Sequence, residues 1–172
     1  GDHNIAMGGW AMKETTTGSD NIGIGYQALK ENLTASNNIG IGAYALVENT
    51  TGTRNIAIGY RALDVADTES DNIAIGYDAL GGAVAGGEKN LAIGNYALDA
   101  TTSGDYNVAV GHEASSANAA GEYNTAIGYN AHLYITGTSS NTLIGANAGR
   151  GQSGEAGGHD NVVVGKGAYY NW

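Results

Sequence analysis

Residues 55–63 read NIAIGYRAL, and residues 72–80 restate this phrase as NIAIGYDAL after an interval of 17. Within the phrase, Ile56 and Ile58 flank the small residue Ala57. Large β-branched side chains at alternate positions are typical of a strand whose two faces differ, one bulky and one nearly flat. Gly59 follows, and a glycine there predicts the end of the strand in a tight turn or at a positive φ.

The same phrase recurs along the whole chain. Four residues after each starting asparagine there is a glycine, and seven residues after it there is an alanine. A fixed period that covers a chain indicates a solenoid, in which each coil stacks on the next. The ten coils begin at Asn4, Asn21, Asn38, Asn55, Asn72, Asn90, Asn107, Asn124, Asn141 and Asn161.

The predicted fold is therefore all-β, a β-solenoid of ten coils of about 17 residues, with residues 1–172 forming a single repeat domain. At ~4.8 Å per coil, ten coils make a rod roughly 45 to 50 Å long. Residues 150–172 form an atypical terminal coil that serves as a cap or tip. Stacked coils place asparagine above asparagine, which predicts a ladder of side-chain hydrogen bonds. Its members are Asn21, Asn38, Asn55, Asn72, Asn90, Asn107, Asn124 and Asn141.

Composition narrows the function. The chain has 172 residues, a formal net charge of -10 and only seven Lys and Arg residues, which argues against a nucleic-acid partner. It has no Cys, hence no disulfide framework and no thiolate metal site. No apolar run is long enough to predict membrane insertion. The chain starts at Gly1 in mid-phrase, from which we expect a fragment of a longer protein.

Several short motifs resemble binding or catalytic sites, but none of them predicts such a site here. Gly149, Gly151 and Gly154 spell G-x-G-x-x-G, but in a repeat linker and outside the strand and helix that a dinucleotide site needs. The column of Glu14, Glu31 and Glu48 lies beside Lys13 and Lys30, which favours a solvated edge over a cation site. No catalytic set stands out. We therefore predict no enzyme activity and no cofactor.

Histidine shows no metal-ligand spacing in this chain. His132 occupies the column that Leu63, Leu80 and Leu98 hold in other coils. If that column faced a threefold axis, three copies of His132 would ring an ion. The alternative, which we favour, is a structural histidine that caps the apolar core where the core becomes smaller.

Aromatic residues recur five or six places after the asparagine and predict either packing between coils or stacking on glycans. They are Trp10, Tyr26, Tyr44, Tyr60, Tyr77, Tyr96 and Tyr129. At the end of the chain, Tyr169, Tyr170 and Trp172 form a second aromatic group, which we expect to contact a receptor or to cap the rod.

One coil of Ile, Ala and a single Leu has a thin core. The entropy of ordering about 17 residues per coil is large against the apolar area that such a coil buries. A second apolar face is therefore expected to pack against other copies of the chain.

The phrases NIAIGYRAL, NIAIGYDAL and NTAIGYNAH resemble the repeats of bacteriophage tail fibres and related trimeric surface fibres. They are also similar to the head repeats of trimeric autotransporter adhesins of the YadA type. The resemblance implies a homotrimeric, left-handed β-roll on an extracellular, virion-borne fibre that binds a host cell-surface glycan or protein. The 17-residue period favours the tail fibre over an adhesin head on a bacterial surface. An ice-binding solenoid is a second alternative, but its threonine column stops after Thr68.

Overall fold

The computed structural model describes residues 1–82, 87–134, 136–151 and 158–169. Within these ranges the chain is all-β, without a helix, and forms ten strands of three residues each. The strands are β1 (Ile5–Met7), β2 (Ile22–Ile24), β3 (Ile39–Ile41), β4 (Ile56–Ile58), β5 (Ile73–Ile75), β6 (Leu91–Ile93), β7 (Val108–Val110), β8 (Thr125–Ile127), β9 (Thr142–Ile144) and β10 (Val162–Val164).

The strands form one parallel sheet in which each strand pairs with the next in sequence order. Pairing follows the repeat: Ile39 lies opposite Ile56, and Ile56 lies opposite Ile73. The longer interval before the last coil does not shift this register, since Thr142 still lies opposite Val162. The predicted β-solenoid is confirmed, because consecutive coils stack through equivalent residues.

The interior of the rod is lined by the small residues of the strands and by the Ala and Leu columns that follow. Ala57, Ala62 and Leu63 are fully buried, as are their equivalents in the central coils. A Cβ added to Gly40, the strand residue stacked beside Ala57, would lie 3.1 Å from Cγ of Leu29. The flat face of the strand is thus the inner one, and the large isoleucines point outward.

Every coil bends at four positions with positive φ. One is the glycine after the strand, with φ near 138° at Gly59. The other three are left-handed non-glycine residues in most coils, as at Arg54, Arg61 and Leu63, with φ of 60°, 53° and 50°. Each costs about 1 to 2 kcal/mol for an L-residue. Hydrogen bonds between coils hold them in place, such as Arg61 N–H to Ala43 O and Leu63 N–H to Ala79 O, both 3.0 Å.

Candidate functional site

The repeated phrase places one asparagine side chain in the same position of every coil, where in most coils it makes two kinds of hydrogen bond. Asn55 Oδ1 accepts the backbone N–H of Asn72 in the next coil at 3.0 Å. Asn55 Nδ2 donates to the carbonyl oxygen of Glu69, at the end of its own coil, at 2.7 Å. Farther along the rod, the amide of Asn124 also donates to Oδ1 of Asn107 at 3.1 Å. This column both links coils and closes them.

A second buried asparagine column was not predicted from the sequence. Asn49 Nδ2 donates to Oδ1 of Asn32 in the preceding coil at 3.0 Å and to the carbonyl of Gly52 at 3.1 Å. Asn118 accepts the N–H of Gly121 at 3.1 Å. The sequence does mark this column, because in these coils an asparagine is followed three residues later by Gly or Ala. Both residues lie in the return segment, the polar stretch that leads from the Ala and Leu columns to the next coil.

The outward side chains of the ten strands form what we call the apolar ribbon. Its central members are partly exposed, with Ile58 at 36% and Ile127 at 38% of their surface accessible. All are apolar except Thr125 and Thr142. The ribbon consists of Ile5, Met7, Ile22, Ile24, Ile39, Ile41, Ile56, Ile58, Ile73, Ile75, Leu91, Ile93, Val108, Val110, Thr125, Ile127, Thr142, Ile144, Val162 and Val164.

Beside the ribbon, just past the glycine turn, the aromatic residues form a continuous row that we call the aromatic ladder. Neighbouring ring centroids lie 5.2 to 6.0 Å apart. His112 fills the gap between Tyr96 and Tyr129, a role that the sequence analysis missed. The ladder runs through Trp10, Tyr26, Tyr44, Tyr60, Tyr77, Tyr96, His112 and Tyr129.

Two surface clefts open along the ladder. The first, of about 240 Å³, is lined by Tyr44, Val47, Tyr60, Arg61 and Asp64. The second, of about 320 Å³, is lined by Tyr96, Asp99, Glu113, Ser116, Leu133 and Tyr134. Each cleft combines an aromatic ring of the ladder with an aspartate.

The aspartates of the clefts carry perturbed carboxyl groups. Burial raises the pKa of Asp99 to about 6, and the negative charges of Glu113 and Asp78 add to this effect. Burial also raises the pKa of Asp64, although a 2.7 Å hydrogen bond from Arg61 Nε to Oδ2 works in the opposite direction. Oδ1 of each aspartate is buried and has no hydrogen-bond partner among the described residues. Each cleft is therefore lined by an aspartate with one buried oxygen that has no partner among the described residues.

His132 lies inside the coil and not on an outer face. Its side chain is fully buried, with Nδ1 2.9 Å from Ser115 Oγ and Nε2 2.9 Å from Thr138 Oγ1. Burial lowers its pKa to about 4, so the ring is neutral near pH 7. The His132 column thus faces the interior of the coil, so the geometry that an axial ring of three His132 side chains would need is absent at this residue.

The remaining sequence candidates are not brought together into a site. Tyr169 is 64% exposed, whereas Tyr170 and Trp172 lie outside the described residues, as does Gly154. In the glutamate column, Glu31 pairs with Lys30 Nζ at 2.8 Å. The described residues include no group of three or more His, Asp or Glu side chains arranged to hold a metal ion.

Comparison with family models, curated proteins and solved structures finds no match for this chain. In the described ranges, no helix has the length and apolar character needed to cross a membrane.

Proposed function

We propose that this chain is a segment of a homotrimeric, left-handed surface fibre that attaches to host cells, as in a phage tail fibre. The observation that carries the proposal is the apolar ribbon, which extends over all ten strands of the sheet. Contiguous apolar surface on this scale is typical of an interface between proteins. The sequence resemblance supplies the number three and the location on an extracellular fibre.

A second copy of the chain fits the ribbon for a geometric reason. The ribbon is periodic, with Ile56 above Ile39 and below Ile73 at the spacing of the sheet. A partner that covers it along its length must repeat at the same interval. Another copy of the same solenoid does so automatically, and a closed symmetric assembly leaves no ribbon uncovered.

Association is tested by light scattering coupled to size-exclusion chromatography of the intact chain. We expect a mass of three chains. The double substitution Ile56→Glu and Ile73→Glu places charges in the ribbon, and it should give a folded monomer because a buried unpaired charge is costly. Thr51→Glu adds a charge at an exposed site in the return segment and should leave the mass unchanged.

Ile56→Thr is a second control, because threonine occupies the equivalent position in β8 and β9. It tests whether charge, and not any change at that residue, prevents association. A monomeric wild-type chain would contradict the proposal. So would a Glu variant that keeps the wild-type mass.

Attachment is tested separately, with fluorescently labelled trimer and a panel of intact bacterial cells. Binding that saturates and is competed by unlabelled trimer supports a fibre that engages a surface. Labelled protein that binds no cell type in the panel better than a protein of equal charge would contradict attachment, while leaving the association result unaffected.

A further inference from the structure

We propose that the aromatic ladder and its two clefts bind a neutral, linear polysaccharide that lies along the rod. This deepens the proposed function, since it names the ligand class and the surface through which a fibre would attach. It uses residues other than the tip group of Tyr169, Tyr170 and Trp172.

The first argument is that the two clefts share two residue types, a tyrosine of the ladder and an aspartate. In each, a tyrosine six residues after a coil's asparagine, Tyr44 or Tyr96, lies near an aspartate nine residues after one, Asp64 or Asp99. Asp64 belongs to the coil that follows that of Tyr44, whereas Asp99 and Tyr96 belong to the same coil. The same combination thus arises twice, in separate parts of the rod, and each time a cleft is present.

The second argument concerns the backbone. Tyr44 and Tyr96 adopt left-handed φ of 62° and 59°, a conformation that disfavours bulky residues and suits Asn or Gly. Asn130, Asn147 and Gly167 occupy the same position in later coils. The same left-handed φ recurs in every coil, as at Trp10 and Arg61, so the fold imposes it, and at this position it brings the rings of Tyr44 and Tyr96 into the ladder.

Ring orientation agrees with this interpretation. Tyr60 and Tyr77 are nearly parallel, with an interplanar angle of 15°. Tyr44, in contrast, is turned by 82° from both Tyr26 and Tyr60, and Tyr96 is turned by 61° from Tyr77. Two of the rings that line the clefts, Tyr44 and Tyr96, are thus turned relative to their neighbours, whereas Tyr60, which also lines the first cleft, stacks on Tyr77.

The third argument is chemical. A sugar ring has an apolar C–H face that packs on an aromatic ring and hydroxyl groups that donate hydrogen bonds. The unpartnered Oδ1 atoms of Asp64 and Asp99 are buried acceptors, and leaving them unpaired is unfavourable. A hydroxyl-rich ligand would pack on the aromatic ring, and a rotation of the aspartate side chain would bring its unpaired oxygen to a ligand hydroxyl group.

The negative charge of the clefts favours neutral polysaccharides over acidic ones. The residues that line the second cleft include Asp99 and Glu113 and no Lys or Arg, although Arg150 lies over the Tyr134 ring at 5.5 Å. In the first cleft Arg61 is already paired with Asp64. The formal net charge of the chain is -10. Polysaccharides that carry carboxylates or phosphates are repelled by such a surface.

The spacing of the clefts favours a long ligand. The first lies on the coils that begin at Asn38 and Asn55, and the second begins three coils farther along, at Asn90. Three coil spacings of ~4.8 Å amount to about 14 Å. A polysaccharide that occupies both clefts at once gains avidity. A short oligosaccharide cannot span the two clefts and therefore does not gain it.

The experiment is isothermal titration of the intact trimer with neutral hexasaccharides of β-1,4-linked glucose, mannose and xylose. Their disaccharides and an oligogalacturonate of equal length are titrated alongside. We expect at least one neutral hexasaccharide to bind about tenfold or more tightly than its disaccharide, because only the longer chain reaches both clefts. The oligogalacturonate should bind more weakly than the neutral chains.

Tyr44→Ala and Tyr96→Ala should each weaken hexasaccharide binding by about tenfold, which corresponds to the loss of one stacked ring. Tyr123→Ala is the matched control, since Tyr123 is an exposed tyrosine that stacks on Tyr106 outside the ladder. The control should bind as the wild type does.

The failures are distinguishable. If the chain is trimeric and no neutral hexasaccharide binds, or if Tyr123→Ala loses as much affinity as Tyr96→Ala, the polysaccharide proposal is wrong and the fibre proposal stands. If Tyr44→Ala or Tyr96→Ala lowers the mass measured by light scattering, the ladder packs between chains and is not a ligand surface. If a monomer binds the hexasaccharide, the trimer proposal fails and the ladder proposal stands.

Discussion

Oδ1 of Asn55 accepts the backbone N–H of Asn72 at 3.0 Å, so one side-chain atom joins two coils of the rod. Both residues are buried. Replacement of Asn55 by Ala would remove the acceptor of this N–H and the donor to the carbonyl oxygen of Glu69, both inside the structure. We expect Asn55→Ala to lower the free energy of unfolding by about 3 kcal/mol, measured by urea denaturation.

The control for this substitution is Asn95→Ala, which removes an exposed amide side chain that accepts the N–H of Tyr77. Water replaces that partner, so the loss should stay under about 1 kcal/mol. Equal losses in the two variants would contradict a special role for the buried column.

Glycine at the strand end is required by the distance between coils. Gly59 has φ near 138°, and an added Cβ would clash with the carbonyl oxygen of Gly76. Gly59→Ala should therefore destabilise the chain by more than about 3 kcal/mol or prevent folding. Gly40→Ala is the comparison, since Ala57 and Ala74 occupy the same position in the next coils. It should change the midpoint of thermal unfolding by only a few degrees. A tolerated Gly59→Ala would show that the coils can move apart.

Acid should destabilise the rod through His132. Its pKa is about 4 in the folded chain and about 6.5 when unfolded, so the unfolded state binds the proton first as the pH falls. The stability that neutral His132 provides is complete above pH ~6.5 and declines towards pH ~4, by about 3 kcal/mol in all. His132→Leu lacks this dependence and matches Leu98 in the column.

The measurement is the free energy of unfolding of both proteins across this range, with His112→Gln, an exposed histidine, as the background. The difference between wild type and His132→Leu should change with pH only between about 4 and 6.5. A difference that does not vary with pH would contradict the buried neutral state.

Asp99 should act in the opposite sense. Burial raises its pKa to about 6, against about 4 in the unfolded chain, so the penalty for its charge grows between pH ~4 and pH ~6 and is complete above pH ~6. Asp99→Asn should stabilise the chain at pH 8 by about 1 kcal/mol, after allowance for the solvent that reaches this half-buried group, and should have no effect at pH 3. Asp2→Asn, at an exposed carboxyl group, controls for net charge. Stabilisation that is equal at both pH values would contradict this account.

Sequence periodicity was sufficient to predict the ten strands, their stacking order and the asparagine column. Each depends on a residue recurring at a fixed interval, and in-register pairing such as Ile39 with Ile56 follows directly from that interval. The clefts were not predictable in this way. They combine residues of different coils and of two columns, as Tyr44 with Asp64, and a column taken alone carries no signal for such a pair.

The aromatic ladder was only partly predictable from the sequence. Its residues were recognisable, but they occupy two neighbouring positions, and adjacent residues of a chain usually point in different directions. The left-handed φ at the second position, as at Tyr96, turns the side chain back into the same row. That conformation comes from hydrogen bonds to other coils and is not encoded in the tyrosine.

The sequence by itself determined that the chain is a stack of similar coils, because strand alternation and a constant period are local properties. Only the tertiary structure decided which face of the strand is inside. Alternation shows that Ile56 and Ala57 point in opposite directions, but not which of them has room within the coil. The buried Leu63 column occupies that interior so closely that only Gly or Ala fits opposite it in most coils, and the isoleucines are left on the surface to form the ribbon.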